Sequence, residues 1–533
     1  MKTILFGLDG ATYTVLDHMV AQGVMPNFKK FREESTSCRL RSTPLPITPQ
    51  AWTTLATGRS AGNHGMHDFL RYEPTKDGVY FRVNDYRTIA VETIWQRVSD
   101  EGKRVTVLNY FGTAPPPKIN GHVMPGFVPP KHLRRSSHPS DLFQRLQGVE
   151  GFDASILGLD TNIEKMGLQK MDPDQWCEWI DLHIRREKAW YGILEHLMKT
   201  EPSDLTAIVF DGVDKIQHLA YRYMDPSTIP AQPLAWEQRV IDRCKVYFKQ
   251  IDDFLGAVVK RAGKWARIFI ASDHGFTVTT EIVYVNKWLA DHGYLTWRGE
   301  VKEDAKEAVF VDKLPDLVSA IDLKKTKAFA MTPSCNGIYI NRQYLSAEEA
   351  NKVRDELIEK LYALKGPDGG LVVTEIKRRE EWWPGPFVER APDLTLTVRD
   401  HGLISILNGK APVVPRDEPA GTHHPHGILL GRGPGIVEGQ EIEIRDIIEV
   451  PGLLLHSLGL EIPASYEGKF PAEFYEPEYL ASDPPRTAAS PEAVAAAAAA
   501  PAEPAAAPAA DASFDDDEEA AIMERLRGLG YLE

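Results

Sequence analysis

Three aspartates and three histidines stand at or just beyond the ends of apolar runs in this chain. They are Asp9 in FGLDG, Asp214 and His218 in DGVDKIQH, Asp273 and His274 in ASDHGF, and His423 in GTHHPHG. Asp214 and His218 are four residues apart, so a helical turn carries both to one face. Asp211 precedes them and competes for the same role, and His424 and His426 crowd His423 in the same way. Carboxylate and imidazole donors without a thiolate form a set that suits zinc or manganese and suits calcium poorly. Six ligands exceed one tetrahedral site, so the set implies two divalent metal ions, zinc first and manganese as the substitute. Two ions roughly 3.5–4 Å apart clamp the attacking and leaving oxygens of a phosphoryl displacement.

The nucleophile candidate is Thr48 in PLPITPQAWTTLATGRSAGNHG. It begins a predicted helix, whose first unpaired N–H groups bind an oxyanion. Each of these residues also has an ordinary reading. A threonine before proline is a good N-cap with proline at N1, and a lone aspartate at a strand end is commonly a turn residue. Capping and catalysis are compatible, because a cap residue stands at the helix mouth where a phosphate would sit.

The segments TILFGLD, RVTVLNY (104–110), LTAIVFDGVD (205–214) and ARIFIASDHG (266–275) predict buried strands. Helical patterns run from about Tyr13 to Glu34 and from about Trp236 to Ala262. The alternation predicts an α/β fold, with a mostly parallel central sheet and helices on both faces. Ligands in such sheets gather beyond the carboxyl ends of the strands, where Asp9, Asp211 or Asp214, and Asp273 are expected. The stretches of about 115–181 and 299–419 break the alternation and carry Pro, Gly and Trp, most densely in EEWWPGPFVER; they read as cap insertions.

With 533 residues, 43% of them hydrophobic, the chain can bury a large core. A net charge of −15 argues against duplex nucleic acid as a partner. It leaves a small phosphorylated substrate open, because bound cations dominate a local field. The four cysteines lie far apart without CxxC spacing, which predicts reduced thiols. The opening MKTILFGLDG has an apolar run of about five residues, shorter than the roughly 7–15 of a signal peptide core. No stretch approaches the ~20 apolar residues of a membrane span. The expected compartment is the cytoplasm.

Five ordered blocks, FGLDG, PITPQAWTTLATGRSAGNHG, DGVDKIQH, ASDHGF and GTHHPHGILLGRGPGI, resemble the alkaline phosphatase superfamily. Within it they are similar to the type I phosphodiesterase/nucleotide pyrophosphatase family, over roughly residues 1–470. The resemblance implies an alkaline-phosphatase-like catalytic domain over 1–480 and a metal-dependent phosphoric ester hydrolase acting through a phosphothreonine on Thr48. It implies one metal held by Asp9, Thr48, Asp273 and His274, and another by Asp214, His218 and His423. The D-x-x-x-H pattern selects Asp214 over Asp211, and the register before ILLGRGPGI selects His423. His64 and His67 read as structural. Family nucleotide pyrophosphatases carry an asparagine about twenty residues past the nucleophile; here that region reads HDFLRYEP, and Asn84 is too distant to correspond. A phosphoryl or head-group transferase or mutase on the same scaffold, or a non-catalytic metal-binding relative, is the alternative.

Beyond residue 480 the composition changes. Residues 481–513 form an Ala/Pro-rich linker, and 514–533 an acidic C-terminal helix with an apolar stripe at Ile522, Met523, Leu526 and Leu529. Such a short helix needs a surface to dock on. Truncation before about Ala481 is therefore expected to leave turnover intact and to alter association or partner binding. Amide exchange checks this: unprotected amides from Ala520 to Leu532, with and without partners, would reduce the segment to a solubilising tail.

Overall fold

Strand β1 (Thr3–Leu8) is buried at every position, as its sequence TILFGL demands. A strand without a polar face belongs in the middle of a sheet covered on both sides. Side chains alternate accordingly: Leu5 joins the hydrophobic cluster on one face, and Ile4 and Phe6 join the cluster on the other. The structure is a computed structural model and describes residues 2–74, 79–149, 151–157, 171–299 and 319–488.

The other strands of the central sheet are β2 (Thr36–Arg41), β3 (Val105–Leu108), β4 (Gly121–Met124), β5 (Leu205–Phe210) and β6 (Arg267–Ala271). Further along the chain lie β7 (Gly275–Tyr284), β8 (Val413–His424) and β9 (His426–Arg432). The sheet order is β2-β9-β6-β1-β5-β3-β4, with short strands Gln440–Glu441 and Arg445–Asp446 paired beside β2. β1 runs parallel to β5 and β6, and β3 runs parallel to β4 and β5. β9 is antiparallel to both of its neighbours. The sheet is thus mostly parallel, and the carboxyl ends of β1, β5 and β6 lie on one rim.

The helix expected from Tyr13 to Glu34 is two helices, α1 (Tyr13–Ala21) and α2 (Pro26–Glu33). Gly23 between them has φ +74°, and Pro26 starts the second helix because it lacks the N–H that an interior position would need. The nucleophile segment forms α3 (Thr48–Thr57), and α4 (Pro173–Thr200), α5 (Gly212–Ala220) and α6 (Ala235–Ala262) follow. The start of α6 lies within one residue of the expected position.

The two stretches that interrupt the alternation differ in kind. Residues 115–181 supply β4 to the edge of the central sheet and the first turns of α4, so this stretch is part of the main body. Residues 328–398 form a separate four-stranded antiparallel sheet accompanied by helix Ala347–Tyr362. That lobe then runs into β8, which pairs antiparallel with β7. Among the described residues no helix is long and apolar enough to cross a membrane. Residues 489–513 of the expected linker and the expected C-terminal helix lie outside the described residues.

Asp68 fastens the loop after α3 to the second lobe. Its carboxylate accepts hydrogen bonds from Thr332 Oγ1 at 2.6 Å and Ser334 Oγ at 2.8 Å. Burial pushes its carboxyl up to about 6 from the usual 3.8, against the opposing pull of those hydroxyls. A carboxyl raised on folding binds more protons in the folded state. The stability it contributes is present below pH 3.8 and is lost as pH rises through about 6. Two units correspond to roughly 3 kcal/mol. Asp68→Asn is therefore expected to gain about that much relative to the parent between pH 4 and pH 7, read by urea unfolding at both values.

Candidate active site

Asp9 follows β1, Asp273 follows β6, and Asp214 lies in the first turn of α5 beyond β5. Parallel neighbours therefore bring three carboxylates to one rim, all fully buried. Gly10 clasps the three elements together. Its N–H donates to Asp273 Oδ1 at 3.0 Å, and its carbonyl accepts from Gln217 Nε2 of α5 at 2.7 Å. A Cβ at this position would stand 2.8 Å from the Phe276 ring and 3.1 Å from Asp214 Oδ1. With φ at +65°, the position requires glycine twice over.

The histidines are oriented by the backbone. His274 Nδ1 lies 3.1 Å from the carbonyl of Gly275, and His423 Nδ1 lies 2.7 Å from the carbonyl of Pro46. A carbonyl only accepts, so each Nδ1 carries its proton and each neutral ring turns a bare Nε2 inward. Burial holds both imidazoles below their usual value, so they are neutral at pH 7. His423 Nε2 lies 3.0 Å from His218 Nε2 and 3.3 Å from Asp214 Oδ1. His274 Nε2 lies 3.2 Å from Asp273 Oδ2 and 3.6 Å from Asp9 Oδ1.

Burial, followed by repulsion from Asp273 and Asp214, raises the Asp9 carboxyl well above its usual range. Burial also raises Asp273 to about 7. Neither oxygen of Asp214 accepts an aligned hydrogen bond. Buried carboxylates held this way call for a cation, and the inward imidazole nitrogens are the matching donors. Ligand atoms of Asp9, Asp273 and His274 lie within 4.8 Å of one another, as do those of Asp214, His274 and His423. The donor set fits divalent zinc or manganese, with His274 common to both groups.

Thr48 sits in the same cluster. Its Oγ1 donates to Asp9 Oδ1 at 3.3 Å and lies 3.4 Å from His274 Nε2. Ile47 is the N-cap of α3, with extended backbone, and Thr48 is the first helical residue. The hydroxyl thus turns to the carboxylate and not to its own helix end. Trp52, one turn on, donates its Nε1–H to Asp9 Oδ2 at 3.0 Å, so the helix that carries Thr48 also fixes Asp9.

All seven residues singled out from the sequence, Asp9, Thr48, Asp214, His218, Asp273, His274 and His423, converge on this spot. Asp211 does not join them. It is paired with Arg186 and Lys215 and accepts from Asn109 Nδ2 at 2.9 Å. Burial opposes its ionisation, but those two cations hold its carboxyl far below the usual range. His424 accepts from the backbone N–H of His426, and His64 and His67 bond Thr54 and the carbonyl of Phe387. Asn84 donates to the carbonyl of Asp68. Sequence reasoning missed Trp52, Gln217 and Arg186. Helical spacing from Thr48 to Trp52 was the one local signal available.

Residues 3–426 match the family described as type I phosphodiesterase / nucleotide pyrophosphatase. Among solved structures, murine ectonucleotide pyrophosphatase/phosphodiesterase 5 aligns with a TM-score of 0.52 at 14% identity, covering 89% of this chain and 100% of that one. An inactive threonine-to-alanine form of that murine protein, in complex with AMP, gives 0.51 at 14% identity, with coverage of 88% and 98%. Phosphonoacetate hydrolase from Sinorhizobium meliloti, in complex with phosphonoformate, gives 0.49 at 15% identity, covering 83% and 90%. No curated protein sequence matches the chain. The murine likenesses establish an alkaline-phosphatase-like fold.

The two acids of α5 make opposite predictions. Asp211→Asn strands two buried cations and should cost about 3–5 kcal/mol of stability. Asp214→Asn removes the acid that faces His218 and His423, so zinc binding should be lost while metal-free stability falls by less than in Asp211→Asn. Urea unfolding beside zinc calorimetry reads both; the reverse pattern would make Asp211 the ligand.

Proposed function

Because the chain belongs to the type I phosphodiesterase/nucleotide pyrophosphatase family, we propose that it hydrolyses phosphoric esters with Thr48 as the nucleophile. The observation that carries this reading is the Thr48 hydroxyl, 3.3 Å from Asp9 Oδ1 inside a buried cluster of three acids and three histidines. Asp9, Thr48, Asp273 and His274 would hold one divalent ion, and Asp214, His218 and His423 the other. Zinc is the expected metal and manganese the substitute. When bound, such ions supply Lewis acidity that acidifies the hydroxyl and offsets phosphoryl charge.

The residues of the chain have separable tasks. Asp9 accepts the hydrogen bond from Thr48, which aims the oxygen lone pairs away from Asp9 and gives the departing proton a direction. Trp52 occupies the other oxygen of Asp9 and leaves Oδ1 for this task. Thr48 stands at the start of α3, where the positive end of the helix dipole favours a phosphoryl anion. A bond forms from Thr48 Oγ1 to phosphorus as the ester oxygen leaves with the bonding pair. Water then cleaves the phosphothreonine and restores the hydroxyl. Positioning and charge complementarity carry the rate in reactions of this class. The inactive threonine-to-alanine form of the murine relative supports a threonine at the centre of the chemistry.

Thr48→Ala is expected to lower kcat at least about 1,000-fold while changing stability by only about 1 kcal/mol. Chelation should abolish turnover, and zinc or manganese should restore it. Acid quenching during turnover followed by peptide mass spectrometry should find phosphate on Thr48. Undiminished activity in the alanine variant, or in a verified metal-free preparation, would sink the proposal.

A further inference from the structure

A cavity of about 460 Å³ opens beside His423 and Gln50, two residues from Thr48. This lies within the usual range for small-molecule sites. One wall is the approach to α3, including Leu45 and Ile47. The opposite wall belongs to the second lobe, with Trp382, Trp383 and Leu396. Ile447 and Ile448 close a third side. The cavity therefore joins the phosphoryl-transfer residues to a lined compartment that those residues do not themselves use.

The charges on its walls decide what it can hold. Arg41 is the one lysine or arginine among the described lining residues, and it is paired through two hydrogen bonds with Asp446. Glu375 adds a second acid to the lining. A further phosphate, as in a nucleoside diphosphate or a pyrophosphate, would meet Arg41 only in its pair with Asp446 and Glu375 in its pair with Lys377, with no unpaired cation among the described lining residues. Asn336 cannot turn toward a nucleobase without loss, because its amide already bonds the Gly402 carbonyl and the Ile404 N–H. Gln50 holds Trp383 Nε1 at 3.4 Å and the carbonyl of His67 at 3.3 Å. Apolar surface is what the cavity offers freely.

We infer that this cavity binds an uncharged apolar substituent of the substrate, an alkyl or aryl group esterified to the phosphate. The substrate class is then a phosphoester of an apolar alcohol and not a nucleotide pyrophosphate. This assignment rests on the hydrolase reading above for its chemistry, and on the cavity alone for its selectivity.

The test separates the two. Methyl-, butyl- and octylphosphonate, together with adenosine 5′-diphosphate, are titrated calorimetrically into the full-length zinc-loaded protein. Affinity is expected to rise about fourfold for each methylene added until the cavity is full, the equivalent of about 0.8 kcal/mol. Octylphosphonate should bind more tightly than the diphosphate. Trp382→Ala should lower octylphosphonate affinity about tenfold. A flat series, tighter diphosphate binding or an unchanged Trp382→Ala variant would overturn the assignment. In parallel, alkyl 4-nitrophenyl phosphodiesters report turnover. A rising phosphonate series with no turnover of any ester would uphold the cavity assignment and defeat the hydrolase reading.

Discussion

Three carboxylates, Asp9, Asp214 and Asp273, are gathered in one buried place, and their desolvation and mutual repulsion are the constraint on which the rest of the structure depends. Such a cluster is unfavourable by itself, as the raised carboxyls of Asp9 and Asp273 record; at Asp214 burial is outweighed by His218 and His423, which hold the carboxyl well below its usual range. Everything around it either tolerates or offsets that charge. Gly10 and Trp52 bring N–H donors to carboxylate oxygens. His274 and His423 keep their protons on the side facing backbone carbonyls, so that electron pairs and not protons face the acids. Imidazoles that turn electron pairs toward buried carboxylates make, with them, a donor set that could hold a cation.

At the residue just before α5 the same problem has the opposite solution. Asp211 is as buried as Asp214, yet Arg186 and Lys215 neutralise it within the chain. Two aspartates three residues apart thus differ in whether the protein completes their pairing. The completed pair anchors the helix against α4, and the incomplete one faces the histidines. The division of labour follows from where α4 places Arg186.

Much of this was legible in the sequence, because its determinants are local. Apolar runs ending in Asp give the strands and the rim, and the four-residue spacing of Asp214 and His218 gives one helix face. The rest depends on distant partners. Nothing near Asp211 indicates that Arg186, 25 residues earlier, will reach it. The imidazole tautomers are set by the carbonyls of Pro46 and Gly275, groups that every sequence possesses and that only the fold positions. The expected helix from Tyr13 to Glu34 breaks because a glycine with positive φ and a helix-starting proline outweigh the apolar periodicity around them. Residues 115–181 lack the length and pattern of a long buried strand, so the four-residue edge strand they supply was hidden among prolines.

The strand order also fixes when the protein can exist. β1 comes before the other strands of the sheet in the chain, yet it lies between β5 and β6, and β9 fills the place between β6 and β2. His423 enters only three residues before β9 begins. At roughly 5–20 residues per second of synthesis, about 20–90 seconds separate the emergence of Asp9 from that of β9. Because His423 lies beside this strand, the acids that follow β1, β5 and β6 meet their full set of histidines only when most of the chain has been made.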